Sequence, residues 1–279
     1  MTAAPPPATG RTLHAAQETV GIYDRPTLTS AAQERELVGG EGFIVEDWQA
    51  DEDEPSFLWL RGISSKDGYP GWVHGDALGE RAEPATHKVI TRETLRLPHP
   101  GAKNGPSPLW LSFASQVRVT GESGDGRWSQ IAGEPGGSAD LWVPRDHLAP
   151  LSRSATDPVA IARLFLGTAY VWGGNSGRGI DCSGLVQAAL LSCGVDCPAD
   201  SGPQREAFLE PDRAGPYRPG ELLFWQGHVA MATGADRMIH ANAHHMQVVE
   251  EAIVPALDRI ERQGDSPYLG RGRAIRPRG

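Results

Sequence analysis

The 279-residue sequence is short of cysteine, short of positive charge and without any long apolar run. Its three cysteines, Cys182, Cys193 and Cys197, are an odd number in a chain of this length. That excludes a disulfide-built scaffold and points to a reducing compartment or to a thiol with a chemical task. Lys and Arg number 26 against 35 Asp and Glu, a net charge of −9. A surface made to hold nucleic acid or an anionic membrane carries the opposite sign, so neither is expected as a partner. No stretch approaches 18 consecutive apolar residues, and the N-terminus lacks a basic segment followed by an apolar run of leader length. The expectation is a soluble, cytoplasmic chain. What is present is ordinary: 39% hydrophobic and 22% charged residues suffice to bury a core without metal or disulfide staples.

The acidic excess is local. Residues 1–80 carry 5 basic and 14 acidic side chains, whereas the remainder is close to balanced. Residues 1–10, rich in Pro, Ala and Thr, read as a disordered tail. From Arg11 to Pro150 short apolar runs alternate with Gly, Pro and Asp clusters, the pattern of small β-barrels. An internal repeat divides this half. Trp72-Val73-His74-Gly75-Asp76-Ala77-Leu78 matches Trp142-Val143-Pro144-Arg145-Asp146-His147-Leu148 as W-V-x-x-D-x-L, at an offset of 70 residues. Two copies of one all-β module, 11–80 and 81–150, are expected, with the Trp residues as barrel core. The acidic run Asp51-Glu52-Asp53-Glu54 reads as a solvated loop tip.

The character changes over 155–279. Asp157 followed by Pro158, an apolar stripe and Gly167 predicts a capped helix, and a second helix pattern runs from Cys182 to Gly194. Short β runs follow at 221–225, 228–233, 237–240 and 247–250. Helices and then antiparallel strands make an α+β plan.

Cys182 is the candidate nucleophile. It stands where a glycine-rich loop meets a helix N-terminus, and unpaired N–H groups and the helix dipole there favour a thiolate. Its own N–H is a candidate oxyanion donor. The plain alternative is a buried cysteine acting as a small apolar residue. His228 and His240 lie 12 residues apart about Gly234, so a hairpin centred on that glycine sets them directly opposite on one face. Such a pair supplies a base for the thiol and a second group to orient it, although paired histidines also serve as structural groups or metal ligands. Cys193 and Cys197 with His244 and His245 lack the spacing of a zinc knuckle, and Gly173-Gly174 lacks the Lys-Ser/Thr of a phosphate loop. No metal and no cofactor are expected.

Tyr170-Val171-Trp172-Gly173-Gly174, Asp181-Cys182-Ser183-Gly184, Asp200-Ser201-Gly202-Pro203-Gln204, Gly227-His228-Val229-Ala230-Met231 and Ile239-His240 together resemble the NlpC-type papain-like cysteine peptidases of bacterial cell-wall metabolism. The repeated modules are similar to the bacterial SH3-like domains that often precede that domain. The resemblance implies a papain-like fold over 155–279 and cleavage of the γ-D-glutamyl-diamino acid bond of murein stem peptides. Cys182 would then be nucleophile, His228 base and His240 orienter, with Tyr170 joining the Cys182 N–H at the oxyanion. It further implies that Asp181 and Ser183 bind the free amine of an N-terminal L-Ala, that Trp172, Asp200 and Ser201 line the same pocket, and that Tyr69 and an acid at Glu34 reach over from the first module. Members often carry Arg immediately before the Asp-Ser pair, where this chain has Ala199. The expected activity is a monomeric dipeptidyl-peptidase that recycles free L-Ala-γ-D-Glu-diaminopimelate or lysine peptides. The competing expectations are an endopeptidase on the intact wall, a binding module without turnover, and acyl-transfer or amidase chemistry at the same thiol.

Overall fold

The strand closing each β module is set by a valine that has nowhere else to go. Val73 and Val143, the V of the repeated motif, are both fully buried, and each is followed by a single 3-10 turn, Gly75–Ala77 and Arg145–His147. The residue leaving each turn, Leu78 or Leu148, has almost the same backbone angles, φ −113°, ψ 149° and φ −114°, ψ 148°. The repeated motif therefore takes the same local structure in both copies. The Trp residues of the motif, expected in the core, are only half-buried, because strand alternation turns them outward when the valine turns in. Of the Trp residues in this half, Trp59 is the one packed away from solvent.

The computed structural model describes residues 8–101, 103, 107–133, 139–210, 213–263 and 267–274. The chain forms two compact units, Met1–Arg153 and Ser154–Gly279.

In the first unit, strands β1 (Thr12–Ala15), β2 (Thr19–Tyr23), β3 (Gln33–Val38), β4 (Gly42–Ala50), β5 (Leu58–Ser64), β6 (Pro70–His74) and β7 (Leu78–Gly79) make one antiparallel sheet in the order β3-β2-β6-β5-β4-β1-β7. Leu13, Val20, Ile22, Leu37, Phe43, Val45, Leu60 and Val73 fill its core. Residues β8 (His87–Val89), β9 (Glu93–Arg96), β10 (Leu109–Ser112), β11 (Gln116–Val117), β12 (Val119–Glu122), β13 (Trp128–Ile131), β14 (Leu141–Pro144) and β15 (Leu148–Pro150) form three small sheets around Val89, Leu111, Val117, Ile131 and Val143. The two modules touch through backbone, where Gln116 N–H donates to Gly39 O at 2.8 Å. Gly40, at φ +80°, lies so close that any Cβ would collide with the Gln116 carbonyl.

Two expectations change here. The tail expected over 1–10 ends by Gly10, whose N–H donates to Val45 O at 2.7 Å, while residues 1–7 lie outside the described residues. Asp51, taken as part of a solvated loop tip, is buried. Its carboxylate accepts from Trp59 Nε1 and from the N–H groups of Leu28, Asp53 and Glu54, which together hold its pKa below the usual carboxylate range. The charge run thus contains the acid that organises its own loop.

The second unit begins with α1 (Pro158–Arg163), capped as expected by Asp157, which accepts from Val159 N and Ala160 N at 2.9 and 3.2 Å. Then come β16 (Ala169–Tyr170), β17 (Gly179–Ile180), α2 (Cys182–Ser192), α3 (Ser201–Phe208), β18 (Glu221–Trp225), β19 (His228–Ala232), β20 (Arg237–Asn242), β21 (Gln247–Ala252), α4 (Ile253–Arg262) and β22 (Tyr268–Arg273). Seven strands form one sheet in the order β17-β16-β21-β20-β19-β18-β22. Leu223, Trp225, Ala230, Ala232 and Met238 pack with Ile253 and Ala256 of α4. Helix α2 packs across β19 and β20 and is buried nearly all round, as its almost wholly apolar sequence requires.

Candidate active site

Helix α2 starts on the candidate nucleophile. Cys182 is its first residue, and Asp181 before it is the N-cap, with Oδ1 accepting from Gly184 N at 2.6 Å and from Ser183 Oγ at 3.0 Å. The other oxygen, Oδ2, accepts from Gly173 N at 3.2 Å. One buried carboxylate therefore fastens the glycine loop to the helix that carries the thiol. The two approach so closely that a Cβ at Gly184 would stand 2.7 Å from Gly174 O. Only glycine fits there.

Burial explains the rest of that corner. Cys182 is 7% exposed and Asp181 8%. Tyr170, at the end of β16, has its phenol pushed up to about 12, first by burial and then by the charges of Cys182 and Asp181. It stays protonated at any working pH and remains a hydrogen-bond donor beside the thiol.

The two histidines meet, though not as the simplest hairpin predicts. Met231 pairs with Ile239 and Ala232 with Met238, a register that carried along the ladder sets His240 opposite Ala230 and His228 opposite Asn242. The turn is centred one residue beyond Gly234, on Ala235, so the histidines are diagonal neighbours instead of direct partners. A diagonal pair keeps the same face, and its Cβ separation of about 7 Å is one that two imidazoles can span. They do: His228 Nε2 lies 2.8 Å from His240 Nδ1, with the rings inclined at 61°. That engages Nε2 of His228 and leaves Nδ1 as its other reactive nitrogen.

Beyond His240 the chain of contacts continues. His240 Nε2 is 2.7 Å from Glu251 Oε1 and 2.9 Å from Asn242 Nδ2. Arg259 of α4 grips Glu251 with two hydrogen bonds, Nη1 to Oε2 at 2.6 Å and Nη2 to Oε1 at 2.7 Å. Burial pushes the pKa of both histidines down, and in His228 the neighbouring His240 adds to the effect. Burial alone raises the Glu251 carboxyl, but the bonds from Arg259 and His240 outweigh it and hold the group ionised. Helix α2, which opens on the thiol, packs across β19 and β20, which carry the two imidazoles, and a neutral imidazole is equipped to accept a thiol proton and so to make a nucleophile.

The NlpC/P60 family profile matches residues 167–256, a span that contains Tyr170, Cys182, His228, His240 and Glu251. This chain carries an NlpC/P60 domain. The gamma-D-glutamyl-L-lysine dipeptidyl-peptidase of Bacillus subtilis is 30% identical over 193 residues, covering 62% of this chain and 60% of that protein. A protein of the same name from Bacillus cereus is 30% identical over 199 residues, covering 63% of this chain and 57% of its own length. The match thus spans less than two thirds of these curated relatives. A solved NlpC/P60 family protein from Bacillus cereus shares the fold with a TM-score of 0.75 at 20% identity, over 96% of this chain and all of that one. The α+β class expected from the sequence holds, with the papain-like architecture in the C-terminal unit.

Around Cys182, His228 and His240 the other candidates are distributed unevenly. Ser183 is on α2 beside the thiol, and Trp172, in the loop after Tyr170, is 66% exposed. Asp200 is the N-cap residue of α3 and Ser201 its first residue. Helix α3 is tied to the nucleophile helix by the buried Gln204, whose Nε2 donates to Ser183 O and Pro198 O at 3.0 and 2.9 Å. Tyr69 and Glu34 belong to the N-terminal unit. Tyr69 sits in the β5–β6 turn against the barrel core, and Glu34 is the extra residue of a β-bulge, since Tyr23 pairs with Gln33 and Ile22 with Arg35. Cys193 and Cys197 are buried thiols, and His244 and His245 meet edge to face in the β20–β21 turn.

Asn242, Glu251 and Arg259 are absent from the sequence-derived site. The strand runs expected at 237–240 and 247–250 end before Asn242 and Glu251, although β20 and β21 both run two residues further. Alternation from His240 would have reached Asn242, two residues along the same face. Arg259 had a helical signal of its own, Ile253, Ala256, Leu257 and Ile260 at spacings of three and four, broken by Pro255 near the start.

Proposed function

We propose that this chain is a cysteine peptidase that hydrolyses the γ-D-glutamyl-diamino acid bond of murein stem peptides bearing a free N-terminal L-Ala, releasing L-Ala-γ-D-Glu. The observation that carries the proposal is the 2.8 Å contact of His228 Nε2 with His240 Nδ1 in a domain whose thiol opens a helix. The names of the two Bacillus relatives support the bond cleaved.

In this reading the Cys182 proton passes to His228 Nδ1 and the thiolate attacks the γ-carbonyl of the D-Glu residue. The Cys182 N–H and the Tyr170 hydroxyl receive the developing oxyanion. His228 returns its proton to the departing amine, and water, activated by the same imidazole, hydrolyses the thioester. The buried Asp181 carboxylate and Ser183 mark the place of the substrate ammonium, because a desolvated cation needs a paired charge. Trp172, Asp200 and Ser201 would line that pocket. A site gated by a free amine fits peptides already released from the wall, and the reading includes a cytoplasmic place of work.

The test is mass-spectrometric product analysis after incubation with L-Ala-γ-D-Glu-diaminopimelate, its lysine counterpart and their N-acetylated forms, with Cys182→Ala as control. Cleavage of the free peptides alone is expected. Equal cleavage of the acetylated forms would replace the reading with an endopeptidase. No cleavage of any of them would leave the domain as a binding module or an acyl transferase.

A further inference from the structure

A neutral imidazole carries its single proton on one nitrogen or the other, so two imidazoles in a row have a direction. The direction decides whether His228 is a base. If His240 bears its proton on Nε2, its Nδ1 accepts from His228 Nε2–H, and His228 Nδ1 is left with a lone pair. If His240 bears the proton on Nδ1, it donates to His228 Nε2, and the proton of His228 is forced onto Nδ1, where no base then exists.

Two partners compete for His240 Nε2, and they demand opposite answers. Glu251 Oε1, at 2.7 Å, is an acceptor and requires Nε2–H. Asn242 Nδ2, at 2.9 Å, is a donor and requires a lone pair. The amide cannot escape by turning over, because its Oδ1 accepts from His245 N at 2.9 Å and faces His245 Nδ1 at 3.0 Å. Glu251 cannot easily become a donor, because Arg259 occupies both of its oxygens.

We propose that Glu251, clamped by Arg259, is a positioning residue that sets the proton tautomer of His240 and through it of His228, against the opposite demand of Asn242. The inference rests on the reading of Cys182, His228 and His240 as a peptidase triad. The groups facing His240 are His228 from β19, Glu251 from β21, Arg259 from α4 and His245 from the β20–β21 turn. Burial keeps both imidazoles neutral at rest, which makes the choice of nitrogen real.

The experiment uses the full chain labelled with 15N-histidine, in the Cys182→Ala background so that no imidazolium forms, and reads the ring nitrogens by NMR. With Glu251 present, both His240 and His228 are expected to carry the proton on Nε2. In Glu251→Gln the Nε2–H population is expected to fall at both rings together. With Cys182 intact, Glu251→Gln is expected to lower kcat by about 10- to 1000-fold with KM within about twofold. The pH profile of Cys182 alkylation should shift with it, and Glu251→Asp should recover part of both. Arg259→Lys, which keeps the charge and loses the two-pronged grip, is the second variant and is expected to move the same readouts less. Unchanged ring nitrogens in Glu251→Gln, or a KM effect without a kcat effect, would overturn the proposal. So would a loss that tracks unfolding in both variants. Failure of the wild-type chain to cleave any stem peptide would overturn the function and leave the NMR and alkylation readouts to judge the tautomer.

Discussion

A thiol is a poor nucleophile until something takes its proton, and the proposed mechanism divides that task among residues of different replaceability. Cys182→Ala is expected to abolish turnover in the peptide assay while leaving the far-ultraviolet circular dichroism unchanged, because alanine fills a buried small-residue site at a helix start. His228→Ala is expected to cost about 1000-fold or more in kcat/KM, and His240→Ala less, since in the proposed mechanism the second ring orients and tunes the first. Equal loss at both with melting of the fold would make them structural. Gly184 is a residue of another kind, holding no chemistry and allowing the loop and helix to meet. Gly184→Ala is expected to destabilise the unit by about 1–3 kcal/mol in urea titration and to depress kcat, because its Cβ must push away Gly174 O and the Asp181 carboxylate.

At the level of elements, what could be read from the sequence is what local chemistry decides. Helix α1 was legible from Asp157, Pro158 and Gly167, since capping acts over a single turn. Helix α2 and strands β18 to β20 were legible because their apolar runs are long for their type and bounded by glycine. The two-residue strands β16 and β17 were not, because a ladder that short is held by its neighbours and leaves no period in the sequence. Helix α3 has Gly202 and Pro203 in its first turn, and α4 has Pro255, each a residue that reads as a break. The site divides the same way. Cys182, His228 and His240 sit in recognisable local motifs, whereas Glu251 and Arg259 join them across elements whose spacing no motif fixes. Removing the α1 cap by Asp157→Ala is expected to cost about 1 kcal/mol in urea titration without touching kcat, a measure of how local that signal is.

Across the whole molecule, acid should act in two stages. His240 is 1% exposed and its pKa lies below the ordinary value of 6.5. The unfolded chain therefore binds that proton more readily, so the stability His240 allows is complete above pH 6.5 and declines as pH falls below it. The slope is up to about 1.4 kcal/mol per pH unit. Glu250, held at about 2 by its bonds from Arg163 and Thr233, contributes stability present above about 4.5 and lost as pH falls towards 2. Urea midpoints measured from pH 8 to pH 3 should stay level to about 6.5, fall, and then fall faster below about 4.5. A midpoint that keeps rising as pH drops from 7 to 5 would contradict the buried neutral histidine.

The matching turns after Val73 and Val143 have an implication for how the chain reaches its native state. Two neighbouring modules end on the same 3-10 turn with the same exit angles, so the local geometry that closes one also fits the segment that closes the other. Refolding at high protein concentration should therefore yield a domain-swapped dimer in which a closing segment has crossed to the wrong copy of the plan, visible by size exclusion and slow to revert. Their cores differ, with Phe43 and Leu60 in one and Leu111 and Ile131 in the other, so a crossed segment meets mismatched packing and the swapped form should remain the minor one.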